Sequence, residues 1–491
     1  MAEEPAIPDV MQKPGTQPGF CAPEARIFIL IAAILGSALG FIDGTVIAIA
    51  LPAIRAGLGA SLVEAQWINN GYLLPLGALI LLGGAFGDKF GTARIFAAGI
   101  AVFVVASLVC AAAPTTQIMI GARVVQGIGA AMMVPGSLAM IARAYPEAER
   151  GRAIGIWAAA SALTTALGPI LGGLALSLGG PEMWRLIFAI NLPLGGLALY
   201  LILTRVGDDP TRSAAPLDVV GAALITAGLG LVAFGLTAAA EGHGDVRPLP
   251  VAAGFAAIAI FVFWEARARA PMVPLSLFQD RGFAMANLAT LLIYFAFSTI
   301  VFFLPMTLIA GWGLDEFLAS AAFAPLSVFI PLLSAQAGKL ADRIGPGPLI
   351  GAGAALMTLA YLGLVAIMPS QEFWTRLLPV TAVMGAGMGL VVAPLSTAIM
   401  GGAPSALAGT ASGINNAVGR VAGLVSVALM GTIVGAAYLR LGGTDSFGVF
   451  SDAPGHGAAM IAAFQTLCWL CAALSALAAL LSWLVIPRPQ A

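Results

Sequence analysis

Fourteen runs of apolar residues, each near the length that crosses a lipid bilayer, account for most of this chain. A helix rises 1.5 Å per residue, so about 20 consecutive apolar residues span the hydrocarbon core. The runs fall at approximately 27–52, 67–86, 95–113, 118–142, 153–178, 187–204, 219–239, 251–266, 283–309, 318–338, 348–368, 377–399, 410–435 and 461–485. Lipid offers no partner to backbone N–H and C=O groups, which leaves helices or closed barrels as the spanning structures. Barrel strands are shorter and alternate polar with apolar residues, and these runs do not alternate. The expected fold is therefore all-α and membrane-integral. Only 9% of the 491 residues are charged, against about 25% in soluble domains. No soluble segment of domain size remains.

Orientation follows from Lys and Arg, which collect in cytoplasmic loops. With the N-terminus inside, fifteen fall in cytoplasmic segments and five (Arg55, Arg185, Arg247, Arg376, Arg440) in external loops; Arg123 and Arg420 lie within runs. Both termini are expected to face the cytoplasm. Residues 1–26 hold four acids against Lys13 and Arg26 and lack the basic and apolar regions of a signal peptide. They read as a disordered cytoplasmic tail. Cys468 and Cys471 form a CxxC inside an apolar run without a nearby histidine, so packing is the better reading than metal or redox chemistry.

An internal repeat divides the chain. GAFGDKFG (Gly84–Gly91) follows the second run, and GKLADRIG (Gly338–Gly345) follows the tenth, 254 residues later. A weaker echo joins PEAERGRA (Pro146–Ala153), after the fourth run, to PSALAGTA (Pro404–Ala411), after the twelfth. The shift is eight runs in both cases. Two six-helix bundles, 27–205 and 271–491, thus flank two inserted helices in 206–270, an arrangement of 6 + 2 + 6.

Asp43 is the only acid deep within a run. A carboxylate at the bilayer centre costs about 2.5–3.5 kcal/mol on insertion scales and marks function by default. Arg123 lies at similar depth in the fourth run, about 6 Å away along the membrane normal at 1.5 Å per residue. A buried arginine needs an acceptor, so Asp43 and Arg123 are expected to pair, directly or through water or Gln126. The alternative role for such a pair is static, holding the first run to the fourth. Arg420 in the thirteenth run has no visible acid; it either faces a cavity beside Asn415 and Asn416 or bonds backbone carbonyls. His243 and His456 fall in external loops and read as surface residues. Asp218 and Glu265 read as solvated span ends.

Five segments carry a family resemblance. The loop GAFGDKFGTAR (Gly84–Arg94) resembles the G-x-L-A-D-R-x-G-R-K signature of the major facilitator superfamily, and RVVQGIGAA (Arg123–Ala131) its R-x-x-Q-G-x-G-A-A element. GPILGG (Gly168–Gly173) is similar to the exporter motif G-P-x-x-G-G. DGTVIAIALP (Asp43–Pro52) and WRLIFAINLPLG (Trp184–Gly195) resemble signatures of the fourteen-helix drug:proton antiporters. Ala48, Thr92 and Thr164 depart from these patterns. The resemblance covers nearly the whole chain and implies a multidrug-efflux type of antiporter in the bacterial inner membrane. It also implies that the loop holding Gly84, Asp88, Lys89, Gly91 and Arg94, with Asp342 and Arg343 in its repeat, latches the halves on the cytoplasmic side. A plain topology anchor is the alternative. In Gly168, Pro169, Gly172 and Gly173, small residues one turn apart allow close helix approach and proline removes a backbone donor. This could seal one face of a cavity, or be generic packing.

The function expected is export of small, largely hydrophobic compounds in exchange for protons, by alternating access. Burial disfavours a charged carboxyl while a nearby cation favours it, so a carboxyl set between the two can load and release protons. Thr45, Gln126, Asn415, Asn416 and Arg420 are the candidate cavity residues. With one membrane acid, the proton stoichiometry is expected to be low. Alternatives are a dedicated exporter of one endogenous metabolite, or an uptake symporter. A membrane enzyme would need a cluster such as paired carboxylates, HExxH or a serine triad, and the chain has none. Expected partners are a small-molecule substrate, protons and lipid. No nucleic acid, cofactor or metal is implied, and the protein is expected to be a monomer.

Overall fold

A computed structural model describes residues 21–207, 216–238, 247–404 and 407–485. These residues form helices and no strand. Fourteen helices are long and apolar enough to cross a membrane: α1 (Pro23–Leu58), α2 (Leu62–Phe90), α3 (Thr92–Ala112), α4 (Thr116–Ala144), α5 (Ala148–Gly179), α6 (Trp184–Arg205), α7 (Val219–Thr237), α8 (Pro248–Glu265), α9 (Arg281–Gly311), α10 (Glu316–Ile344), α11 (Pro346–Ser370), α12 (Phe373–Gly401), α13 (Ala408–Arg440) and α14 (His456–Leu484). The expected tail lies outside the described residues up to residue 20. From Pro23 onward the chain is already helical.

Helix starts follow local capping chemistry. Ser61 and Glu64 form a capping box at α2: Glu64 N donates to Ser61 Oγ at 3.2 Å and Ser61 N to Glu64 Oε2 at 3.0 Å. Asp280 caps α9 through Phe283 N at 2.8 Å. The two repeated segments are not open loops. GAFGDKFG forms the last turns of α2 and GKLADRIG those of α10. Only Gly91 (φ +104°) and Gly345 (φ +85°) stand between those helices and the next. Both glycines take backbone angles that a side chain disfavours, so the repeat in sequence is a repeat in structure. Asp88 accordingly sits in the last turn of α2, not at the start of α3.

The two bundles pack alike. In the first, α4 lies against α2 and α3; in the second, α12 lies against α10 and α11. Gly99 and Gly129 bring α3 and α4 together, where a Cβ on Gly129 would lie 2.8 Å from Gly99 O. Gly353 and Gly387 do the same for α11 and α12, with a Cβ on Gly387 at 2.7 Å from Gly353 O. The bundles meet along α2 and α13 and along α5 and α10. The inserted helices α7 and α8 pair with each other, and α7 rests on both α2 and α13.

Two ionisable side chains sit elsewhere than expected. His456 begins α14 and is buried, with its Nδ1 2.6 Å from the Tyr438 hydroxyl. Glu265 is 3% exposed, its Oε2 accepting from Val273 N at 3.0 Å. Asp218, by contrast, is a half-exposed span end as expected: it caps α7 and accepts from Gly221 N and Trp264 Nε1, both at 2.8 Å. The segment at Val273 folds back over Glu265, and Tyr438 of α13 covers His456, so each is shielded from water that sequence alone would place there. His243 lies outside the described residues. Cys468 and Cys471 are buried free thiols, in line with a packing role.

Candidate functional site

Asp43 occupies the middle of α1 and Arg123 the first half of α4. Arg123 Nη1 donates to Asp43 Oδ2, and both side chains are almost wholly removed from solvent. Gln126, three residues along the same helix, lies on Arg123's face. Its Nε2 donates to Asp43 Oδ1 at 3.0 Å, and its Oε1 accepts from Arg123 Nη1 at 2.6 Å. The network continues through Ser107 of α3, whose Oγ accepts from Gln126 Nε2 at 2.8 Å and from Asn191 Nδ2 of α6 at 3.1 Å. Arg123 Nε donates to Ile68 O of α2 at 3.0 Å, and its guanidinium lies 4.4 Å from the Tyr72 ring centre. A cation on an aromatic face is attracted to the ring quadrupole. Four helices besides α1 thus hold one carboxylate–guanidinium pair, and breaking such a pair from one side costs about 3–5 kcal/mol.

A cavity of about 470 Å³ opens between the bundles, and Thr45, Tyr72, Tyr294, Asn415, Asn416 and Arg420 supply much of its polar lining. Asp43 and Thr45 are two residues apart and therefore project to different sides of α1: Asp43 toward α4, Thr45 toward the cavity. Gln126 does not line the cavity as expected. It is fully buried in the ion-pair network. Tyr72 is the partition, lining the cavity while stacked on Arg123. Asn415 Nδ2 donates to Thr290 Oγ1 at 2.6 Å, and Asn416 Nδ2 to Ser412 O at 3.3 Å. Arg420 has no hydrogen-bonded or ion-paired partner among the described residues, so backbone carbonyls do not hold it.

The two ends of the bundle differ. At one end the halves are stitched together. Arg55, buried at the end of α1, donates to Phe447 O at 2.6 Å and to Ser446 Oγ at 3.0 Å. Gln66 Nε2 donates to Val427 O at 2.5 Å. Gly173 of α5 is seated on α10, where a Cβ would lie 2.5 Å from Ser320 Oγ. Gly172 faces Val46 of α1 at 2.5 Å on the same measure, while a Cβ on Gly168 would lie 2.7 Å from Thr45 Oγ1. Pro169 lies within α5 between them. At the other end Asp88 pairs with Arg143 of α4, its own bundle, at 3.1 Å. Lys89 Nζ stands 5.9 Å from the Phe90 ring centre, Gly84 lies against Pro135, and Arg94 is exposed in the first turn of α3. Asp342 and Arg343 are exposed and unpaired among the described residues.

Sequence reasoning missed Tyr72, Ser107, Asn191 and Arg55. Ser107 and Asn191 are isolated polar residues in apolar runs, which is a usable signal. Arg55 read as a loop cation because the two acceptors that tie it to the other bundle, Phe447 O and Ser446 Oγ, lie nearly 400 positions away in the chain.

Fourteen helices long and apolar enough to cross a membrane, in two repeated bundles around a central cavity, form the architecture of a membrane transporter. A family model described as Major Facilitator Superfamily matches residues 33–427. The chain belongs to the major facilitator superfamily. It is 33% identical to the methylenomycin A resistance protein of Bacillus subtilis (strain 168) over 415 residues, 83% of this chain and 87% of that protein. It is 32% identical to the tetracenomycin C resistance and export protein of Streptomyces glaucescens, over 82% of this chain and 75% of that one. Its fold is similar to that of a bacterial homologue of the human lysosomal transporter Spinster (TM-score 0.65, 18% identity, 96% and 97% coverage). It is equally similar in fold to a D-xylose–proton symporter (TM-score 0.65, 16% identity, 94% and 98% coverage).

Proposed function

We propose that this protein exports small, largely apolar compounds from the cell in exchange for protons, with its two bundles rocking about the central cavity. The observation that carries this reading is the Asp43–Arg123 pair, buried one side chain behind the cavity wall. When Tyr72 shifts with substrate or with bundle movement, Asp43 leaves Arg123 and takes up a proton; re-formation of the pair releases it. Substrate and proton are thereby linked through one wall and need not touch. Relatives named for methylenomycin A resistance and for tetracenomycin C resistance and export support the direction of transport. Two of these names specify a single compound, which favours a dedicated exporter as the second reading.

The working units of this scheme are bundles 27–205 and 271–491, braced by the inserted helices of 206–270. In it, the Asp88 end faces the cytoplasm, as do both termini, and the stitched Arg55 end faces outward. The unit is a monomer exchanging one proton per substrate. The test is proton-gradient-driven uptake into everted vesicles of matched neutral, anionic and cationic apolar dyes, comparing wild type with Asp43→Asn. Gradient-dependent uptake of at least one dye, abolished in Asp43→Asn, is the expected result. Equal uptake by both proteins would remove Asp43 from coupling. No uptake of any dye would overturn export of small apolar compounds.

A further inference from the structure

Arg420 poses a charge problem that the ion pair does not solve. Asp43 and Arg123 neutralise each other behind Tyr72, leaving the cavity with its own balance. Among the described residues Arg420 is the one charged side chain in the cavity lining, and no acid lines it. Its guanidinium has no hydrogen-bonded partner among the described residues. A close approach holds its backbone in place: Gly77 of α2 leaves room for α13, and a Cβ there would lie 3.1 Å from Arg420 Cβ. An uncompensated cation inside a membrane is costly and calls for a counter-charge. Asn416 lies one helical turn away on the same face, adding an amide at the same wall. Phe297, Val301 and Phe302 of the neighbouring α9 add apolar surface to the same lining.

We propose that the substrate is an apolar compound bearing one carboxylate, which Arg420 receives as a planar two-pronged pair with Asn416 as a further donor. A guanidinium matches a carboxylate geometrically, with two parallel N–H···O bonds, in a way an ammonium does not. The substrate then supplies the counter-anion that the protein omits. This specifies the substrate class within the export reading above. It carries an electrical consequence. Moving a monoanion out while a proton moves in transfers two charges per cycle, against one for a neutral substrate and none for a cation. A membrane potential that is negative inside therefore favours carboxylate export most.

The test is binding to purified protein in detergent, followed by tryptophan fluorescence, with three probes of one shape: naphthalene-2-carboxylate, 2-naphthamide and 2-naphthylmethylammonium. The carboxylate is expected to bind at least about tenfold more tightly than the other two, as a charge-assisted pair implies. Arg420→Gln should erase that margin and Arg420→Lys retain part of it, with unchanged melting temperatures showing that both variants fold. Carboxylate binding no tighter than amide binding, or a margin that survives Arg420→Gln, would overturn the proposal. Binding needs no gradient, so the outcome is separable from export. Carboxylate selectivity without proton-driven flux would leave Arg420's role standing and sink proton coupling. Proton-driven flux of neutral or cationic dyes, indifferent to Arg420→Gln, would do the reverse.

Discussion

The two six-helix bundles share a skeleton of glycines and differ in what they bury. RVVQGIGAA in α4 aligns with TAVMGAGMG in α12, 258 residues on. Gly127 and Gly129 match Gly385 and Gly387, and the close approaches match as well. A Cβ on Gly127 would run into Tyr72 O; one on Gly385 would lie 2.9 Å from Leu326 Cα, and Leu326 is 254 residues after Tyr72. The side chains between the glycines have diverged. Arg123 corresponds to Thr381, Gln126 to Met384 and Tyr72 to Leu326. Helix α9, the counterpart of α1, contains no acid. Small residues at fixed spacing set the helix crossings, so the ionic network can change without altering them. One bundle carries the buried charge; the other offers Arg420 to the cavity.

The largest expected difference lies at the paired positions. Arg123→Gln leaves Asp43 buried without its cation and should destabilise the protein by about 3–5 kcal/mol. Thr381→Ala removes only a hydroxyl bonded to Leu378 O at 3.0 Å and should cost about 1 kcal/mol or less. Melting in detergent reads both. Adding Asp43→Asn to Arg123→Gln should restore part of the loss, because the uncompensated charge is gone. Equal losses at Arg123 and Thr381 would break the asymmetry.

The shared skeleton makes the opposite claim. Gly129→Ala and Gly387→Ala each place a methyl against backbone that has no rotamer to yield. Each should cost about 1–3 kcal/mol, and the two costs should be alike. Gly173→Val tests the joint between bundles in place of either bundle. Its side chain would press on Ser320 and Glu316 of α10, so closure at the Arg55 end should weaken by about tenfold for each 1.4 kcal/mol of clash. Substrate flux should fall while the melting temperature moves little. A large drop in melting temperature instead would mean that Gly173 serves ordinary packing.

How much of this was legible follows from where each signal resides. Spanning helices are local facts: apolar length suffices, and all fourteen runs are helices in the structure. The Asp43–Arg123 contact was legible because two lone opposite charges at one depth in lipid have few other partners. Gln126 was placed in the cavity although its three-residue spacing from Arg123 puts it on Arg123's face. Arg55, His456 and Glu265 were misjudged for a common reason. Ionisable residues at helix ends normally reach water, and only another part of the chain lying over them reverses that: Ser446 and Phe447 over Arg55, Tyr438 over His456 and Val273 over Glu265. The unpaired state of Arg420 was half legible: its lack of a sequence-visible acid was correct, and its position on the cavity wall needed the structure.

The smallest expected effect concerns the repeated Gly91 and Gly345 turns. Asp88 pairs with Arg143, whereas Asp342 has no partner among the described residues. The echo of Pro146 at Pro404 explains the difference, since it sets Arg143 opposite Gly401. An arginine can be supplied there, because a Cβ on Gly401 would meet nothing within 4 Å. Gly401→Arg should therefore pair with Asp342 and stabilise the second bundle by about 0–1 kcal/mol, the range for ion pairs near water. Asp88→Asn should cost the first bundle a similar amount, as its side chain is 63% exposed. Both effects should shrink in high salt, where screening shortens to about 3 Å at 1 M. If Gly401→Arg stabilises equally in an Asp342→Asn background, the gain comes from replacing a helical glycine, worth about 1 kcal/mol by itself, and the proposed symmetry of the two turns stops at their backbone.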